Sequence, residues 1–273
     1  MANKKIRIGI IGCGTIGAQL ARAIEKELSS QAQLSAVCDL DKNKAKKLSD
    51  SCVSAPKVLS IDAVIGACDL IIEAAAAEIS ASVAQKALGA GKDVMIMSVG
   101  GILGEASKLF ALAQRKRGHL YLPSGAIAGL DAVKAAGLAK IKQATLTTRK
   151  PPAGLAGAPY LVERKIDLSR LKEEQVIFEG TAAEAIKGFP KNVNVCVTLS
   201  LAGIGPEKTR VKIIASPNST ANIHEIQLEG DFGKLTSRTE NLPSPGNPRT
   251  SFLAYLSALA TLKSILNPVK IGT

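Results

Sequence analysis

Two groups of residues in this chain have types and spacing that could do chemistry. The first is Gly12-Cys13-Gly14-Thr15-Ile16-Gly17. An apolar, β-branched run from Lys5 to Ile11 ends in this G-x-G-x-x-G pattern and passes into Ala18 to Ile24. Ile16, Leu20, Ala23 and Ile24 fall on one helical face, so the order is strand, glycine turn, helix, the context a dinucleotide-binding turn requires. Gly12 permits the tight turn, Gly14 lets the backbone approach a diphosphate, and Gly17 lets helix pack on strand. Thr15 and Ile16 open the helix whose positive end faces that diphosphate. Asp39 follows about twenty residues on, where an acid accepts hydrogen bonds from an adenosine ribose. An acid there repels a 2′-phosphate and favours NAD, while nearby Lys42 and Lys44 leave NADP open.

The second group centres on His224, in Ala221-Asn222-Ile223-His224-Glu225-Ile226, one of two histidines. Imidazole titrates near neutrality and can exchange a proton while a cofactor takes a hydride. By itself the same residue also reads as a satisfied strand histidine. His119, beside Arg115-Lys116-Arg117, reads as a solvated histidine at a helix end. No Ser/His/Asp or metal-ligand spacing stands out, so no metal is expected. Five cysteines (Cys13, Cys38, Cys52, Cys68, Cys196) are scattered, odd in number and never in C-x-x-C. They read as reduced thiols in a cytoplasm.

Elements must position these groups. Leu34 to Asp39 reads as a second strand, Cys68 to Ala74 and Lys92 to Ser98 as buried strands, and Ala81 to Leu88 and Glu105 to Arg115 as helices. Alternating strand and helix predicts a doubly wound parallel sheet, with ligands beyond the carboxyl ends of its strands. Ala75, Ala76, Ser98 and Val99 are therefore candidate cofactor contacts. After Pro123 the texture changes. Ser124 to Asp131 is rich in small residues and precedes a helical run, Ala132 to Leu138. Alternation at Ala144 to Thr148, Val193 to Thr198, Thr209 to Ile214 and Ile223 to Glu229 then predicts a mostly antiparallel sheet. Leu161 to Lys187 is read as containing helices, the clearest being Thr181 to Lys187. The expected fold is α/β: a Rossmann doubly wound sheet plus a second α+β domain. A dinucleotide-binding domain is expected at 1–123, completed by the C-terminal segment 247–273, in which Asn247 to Ser251 introduces an apolar helix, Phe252 to Ile265. A substrate and dimerisation domain is expected at 124–246.

Composition excludes several classes. With 46% hydrophobic and 21% charged residues the chain is an ordinary globular one,, with no apolar run long enough to span a bilayer and no signal-peptide pattern. The formal net charge is +12, from 35 basic and 23 acidic residues, and favours anionic ligands. Its basic residues are dispersed, aromatics are 3% and tryptophan is absent, which provides poorly for base stacking. Neither nucleic acid nor membrane is an expected partner.

Seven motifs occur in order along the chain: the glycine turn; Ser98-Val99-Gly100; Gly125-Ala126-Ile127-Ala128-Gly129-Leu130-Asp131; Arg149-Lys150-Pro151-Pro152 with Gly154-Leu155-Ala156-Gly157-Ala158-Pro159; Phe189-Pro190-Lys191-Asn192-Val193-Asn194; Asn222-Ile223-His224-Glu225; and Asn247-Pro248-Arg249-Thr250-Ser251. Together they resemble the L-aspartate dehydrogenase family over nearly the whole length. The resemblance implies a homodimer and NAD(P)-dependent oxidation of L-aspartate to iminoaspartate, which feeds NAD synthesis or hydrolyses to oxaloacetate. It also implies that His224 is catalytic and that Ala128 and Asn194 contact the cofactor. Arg149, Lys150 and Lys191 are candidates for the substrate carboxylates by proximity to these motifs. The alternatives are another two-domain dehydrogenase, of homoserine or dihydrodipicolinate type, and a non-catalytic NAD-sensing protein.

Overall fold

The run Ile6–Ile11 is a strand (β1) because its β-branched residues are buried on both faces, as a central strand of a parallel sheet requires,. The computed structural model describes residues 4–190, 193–245 and 247–272. Within them the chain forms two compact units, 4–123 with 258–270, and 124–257 with 271–272.

In the first unit β1 leads into α1 (Thr15–Glu27), then β2 (Ala32–Cys38), α2 (Lys42–Asp50), β3 (Lys57–Val58) and α3 (Ile61–Ala67). The second half is β4 (Leu70–Glu73), α4 (Ala77–Gly89), β5 (Asp93–Ile96), a 3₁₀ segment (Val99–Glu105), α5 (Ala106–Lys116) and β6 (Leu120–Tyr121). The strands order as β3-β2-β1-β4-β5-β6, every pair parallel. Strand order reverses between β1 and β4, and the crevice beyond their carboxyl ends is where such sheets take ligands. The core is aliphatic, with Ile8, Ile10, Leu20, Ile24, Ile71, Ile72 and Met95 fully buried. Asp41 starts α2 by accepting from the backbone N–H of Asn43 and Lys44, a side-chain N-cap.

The second unit contains α6 (Leu130–Ala136), β7 (Ile141–Lys150), α7 (Pro152–Leu155), α8 (Pro159–Glu163), β8 (Gln175–Thr181) and α9 (Ala182–Gly188). It continues with α10 (Asn194–Ala202), β9 (Arg210–Ala215), β10 (Asn222–Gly230), β11 (Gly233–Asn241), β12 (Pro243–Ser244) and β13 (Asn247–Ser251); the terminal helix α11 (Phe252–Leu266) begins in this unit, and its residues from Ala258 on belong to the first. Five strands order as β11-β10-β7-β9-β8. Only β7 and β9 run parallel, so the sheet is mixed and mostly antiparallel. Tyr160, Phe178 and Phe189 form one ring cluster, with centroids 5.2–5.6 Å apart, joining α8, β8 and the end of α9.

One local expectation is corrected. Val193 to Thr198 is not a strand but opens α10. Its alternation of valines with Asn194, Cys196 and Thr198 mimics period two, yet Val195 through Ser200 are all buried. A helix buried all round loses its polar stripe, and periodicity cannot then identify it. The stretch from Leu161 contains the expected helix as α9, N-capped by Thr181, with β8 ahead of it. Residues 247–251 form a strand against β12, and the terminal helix starts at Phe252, where the sequence places it.

Candidate active site

The turn after β1 is built by steric necessity. Gly12 has φ +102°, and a Cβ there would strike the backbone of Ala74. A Cβ on Gly17 would run into the Gly12 carbonyl, so α1 sits against the turn only because residue 17 is glycine. Gly14 differs: a Cβ on it meets nothing within 4 Å. It is the N-cap of a 13-residue helix whose first turn has no side-chain cap. An open cradle at Gly14 beside first-turn N–H groups fits a dinucleotide diphosphate.

Asp39, at the end of β2, reaches the same turn. Its Oδ2 accepts from the Cys13 N–H at 2.7 Å, and its Oδ1 accepts from the Asp41 N–H at 2.9 Å. The carboxylate is thereby fixed between the glycine turn and the start of α2. Burial pushes the Cys13 thiol up to about 12, so it stays protonated, and all five cysteines are free thiols.

Ala75, Ala76, Ser98 and Val99 follow the ends of β4 and β5. Sequence reasoning missed what ties them together. Glu73 has no exposed surface; its Oε1 accepts from Ala75 N–H at 2.8 Å and its Oε2 from Ser98 N–H at 3.1 Å. Ser98 Oγ donates to the Ala75 carbonyl at 2.9 Å. Burial, the largest influence, raises the Glu73 pKa, while these hydrogen bonds oppose it. A carboxylate closing an apolar strand run was the available signal.

In the second unit His224 lies in β10 directly opposite Thr148 of β7. It is 3% exposed, with Nδ1 3.0 Å from Thr148 Oγ1. Burial, and then the charge of Lys150, push its pKa down to about 3, so the imidazole is neutral at pH 7. Lys150, two residues beyond Thr148, shares that face; burial pulls its ammonium down to about 8. Across the sheet Thr239 of β11 faces His224. Thr239 Oγ1 and Asn241 Nδ2 donate to the Ala126 carbonyl at 2.8 and 3.0 Å, and Ser237 Oγ donates to that of Ala128 at 3.0 Å. The small-residue loop is thus strapped along β11 beside the histidine. Asn194 is exposed at the first residue of α10.

A cavity of about 690 Å³ opens on this region, within the range of small-molecule sites. Its wall takes in Lys150, the Gly154–Pro159 loop, Phe189, Pro190 and Asn222, which gathers three of the motifs that are distant in sequence. A second cavity, about 580 Å³, shares Ala153, Ala156 and Gly157 but is lined by none of the expected site residues. Arg149 is not brought to His224. Alternation turns it to the opposite face, where its Nε lies 3.6 Å from Glu174 Oε2; its Nη1 is buried with no hydrogen-bond partner. Lys191 lies outside the described residues. Among those described, no group of three or more His, Cys, Asp or Glu could hold a metal ion, and no helix is long and apolar enough to cross a membrane.

A doubly wound sheet of nucleotide-binding type, with a second sheet carrying a neutral histidine on the strand face that bears the cavity-lining Lys150, is the architecture of a nicotinamide-dependent dehydrogenase of two structural units. A family model described as "Homoserine dehydrogenase, NAD binding domain" matches residues 12–123, and one described as "Aspartate dehydrogenase, C-terminal" matches 131–265. The L-aspartate dehydrogenase of Methanosarcina acetivorans is 52% identical over 271 residues, covering 98% of this chain and 100% of the relative. That of Bradyrhizobium diazoefficiens is 39% identical over 272 residues, 100% of this chain and 96% of the relative. The crystal structure of aspartate dehydrogenase from Thermotoga maritima aligns with TM-score 0.75 at 25% identity, covering 98% of this chain and 100% of that one. The chain belongs to the L-aspartate dehydrogenase family.

Proposed function

We propose that this protein oxidises L-aspartate at its α-carbon to iminoaspartate with NAD(P), the imine hydrolysing to oxaloacetate and ammonia. The observation that carries the reading is the neutral His224, held by Thr148 on the face that also bears the cavity-lining Lys150, in a chain of this family. When bound, the nicotinamide supplies the hydride acceptor. The chain's residues do the rest. Gly12, Gly14, Thr15, Ile16 and Gly17 bind the diphosphate, and Asp39 takes the ribose hydroxyls and disfavours a 2′-phosphate. Ala75, Ala76, Ser98, Val99, Ala128 and Asn194 line the remainder of the cofactor. The α-ammonium must lose a proton before an imine can form. His224 accepts it at Nε2 in the tautomer whose Nδ1–H is donated to Thr148. Lys150 and Lys191 attract the carboxylates.

The proposal extends to a homodimer in a reducing cytoplasm, with substrate and dimer contacts made by the second unit and the product feeding pyridine nucleotide synthesis. Steady-state assays with L-aspartate and each cofactor test the reaction; no reduction of either cofactor at neutral or alkaline pH removes it. General acid–base catalysis contributes roughly 10²–10⁴ in rate. His224→Ala is therefore expected to lose that factor in kcat while NADH affinity, read by nicotinamide fluorescence, stays within about twofold. Turnover like the wild type sinks the assignment of His224.

A further inference from the structure

We infer that Thr239 and Asn241 are positioning residues of this site: with Ser237 they hold the loop 125–129 in register with His224. The inference rests on the proposed reading of Ala128 as a cofactor contact and says what sets that contact in place.

The ends of the loop do not fix it. Both are glycines in the left-handed region, Gly125 at φ +67° and Gly129 at φ +86°, where the backbone is least constrained. Between them Ile127 is buried and Ala128 is exposed. The hold must come from outside. Residues directly opposite each other in an antiparallel pair send their side chains to one face of the sheet. Thr239 is opposite His224, Asn241 opposite Asn222, and Ser237 opposite Ile226. The three β11 side chains therefore rise on the face that carries the imidazole, and the loop lies along them.

The attachment is centred on one buried carbonyl. Thr239 Oγ1 and Asn241 Nδ2 both donate to the Ala126 oxygen, at 2.8 and 3.0 Å, which fills both lone pairs of that acceptor. Asn241 Nδ2 also donates to the Asn222 carbonyl at 3.2 Å. An amide that faces two carbonyls presents its nitrogen to them, so the network sets its orientation. Asn241 is 4% exposed, and it ties the loop to the strand that carries His224, two residues before the histidine. Ser237 Oγ adds a tie to the Ala128 carbonyl at 3.0 Å. At the loop's start the Gly125 N–H donates to Ser257 Oγ at 3.0 Å. Ala128 is thereby fixed through its own carbonyl while its surface stays open to a ligand. A ligand that meets Ala128 is held at a set offset from the imidazole, because loop and base are indexed to the same two strands. A contact ordered in advance spares the ligand the cost of ordering it.

The two donors on Ala126 give the test its form. Thr239→Val removes one and Asn241→Leu the other, so each single variant leaves the carbonyl bonded. Only the double variant leaves a buried acceptor empty. In the full-length protein, the amides of residues 127–129 should exchange hydrogen at least about tenfold faster in the double variant, with those of the β7–β10 ladder unchanged. NADH affinity, read by nicotinamide fluorescence, should fall at most about threefold in either single variant. In the double variant it should fall at least about 30-fold, beyond the product of the single effects. The KM for NAD should follow while the KM for L-aspartate stays within about twofold, a split that lost stability alone does not produce. Thr239→Ser keeps the donor and should match the wild type. Should the double variant not fold, Ser237→Ala with Thr239→Val, which takes one donor from each pinned carbonyl, should show the same pattern at smaller amplitude. Wild-type NADH affinity in the double variant overturns the inference, and so does exchange that quickens equally across the whole unit. Failure of the wild type to turn over L-aspartate would instead strike the proposed function, since hydrogen exchange and NADH binding are read without turnover.

Discussion

Glu73 shows how a single buried carboxylate can order two turns at once. Its two oxygens take the N–H groups of Ala75 and Ser98, so the turns after β4 and β5 share one brace. Both turns stand at the carboxyl ends of their strands, where this fold takes its ligand. Glu73→Gln keeps the shape but turns one acceptor into a donor facing another donor, leaving a buried N–H unsatisfied. That costs about 1–3 kcal/mol, to be read as a lower denaturation midpoint at unchanged m-value. NADH affinity should weaken several-fold while the KM for aspartate moves less. A variant with wild-type stability and affinity would show that the brace is dispensable. Asp39 differs in kind: its carboxylate is half-buried and fixed by the Cys13 and Asp41 N–H groups, at the rim where a ribose would meet it.

The strand–turn–helix element was legible because its constraints are local. The apolar run of β1, the glycine spacing and the face of α1 all lie within twenty-odd residues, and each glycine answers a different steric demand. That difference makes a sharp prediction. Gly14→Ala puts its methyl into open space, so thermal stability should stay within about 0.5–1 kcal/mol of wild type, the scale of backbone propensity effects, while NADH affinity falls at least tenfold. Gly17→Ala drives a methyl into the Gly12 carbonyl and should cost about 1–3 kcal/mol, as overpacking does, in chemical denaturation. Equal stability losses in the two variants would mean that Gly14 is conserving backbone shape and leaving no room for a ligand. Elements whose identity depends on distant packing were not legible. In α10, Thr198 and Ser200 hide their hydroxyls on the Asn194 and Cys196 carbonyls at 2.9 and 2.7 Å, so polar residues survive in a buried helix and imitate a strand. The site was split the same way. His224 and Lys150 could be named from motifs, but that Lys150 shares the histidine's face and Arg149 does not is set by the register of β10 on β7. Glu73 was hidden because nothing local says which turn a buried carboxylate will bind.

At the scale of the whole chain, the first unit is not continuous in sequence, since residues 258–270 belong with 4–123. The reason lies in the composition of α11. Ala258, Leu259 and Leu262 are buried, at 0%, 8% and 0% exposure, and a helix this apolar is stable only with its side chains covered. Lys263 adds an ion pair with Glu27 at 2.6 Å, but both side chains are about half exposed, so water and salt leave it worth under about 1 kcal/mol. Burial of the leucines therefore dominates. Leu262→Ala should cost about 2–5 kcal/mol, whereas Lys263→Ala should be nearly silent. Because the proposed dinucleotide site is in that same unit, the loss should appear in the thermal transition that NADH raises. Saturating NADH, at a hundred times its Kd, would return about 2.7 kcal/mol to the unit that binds it, offsetting much of the Leu262→Ala loss. Scanning calorimetry of both variants with and without NADH reads this directly. If Leu262→Ala lowers only a transition that NADH does not move, the terminal helix is supporting the other unit, and the nucleotide-binding unit ends where its sixth strand does.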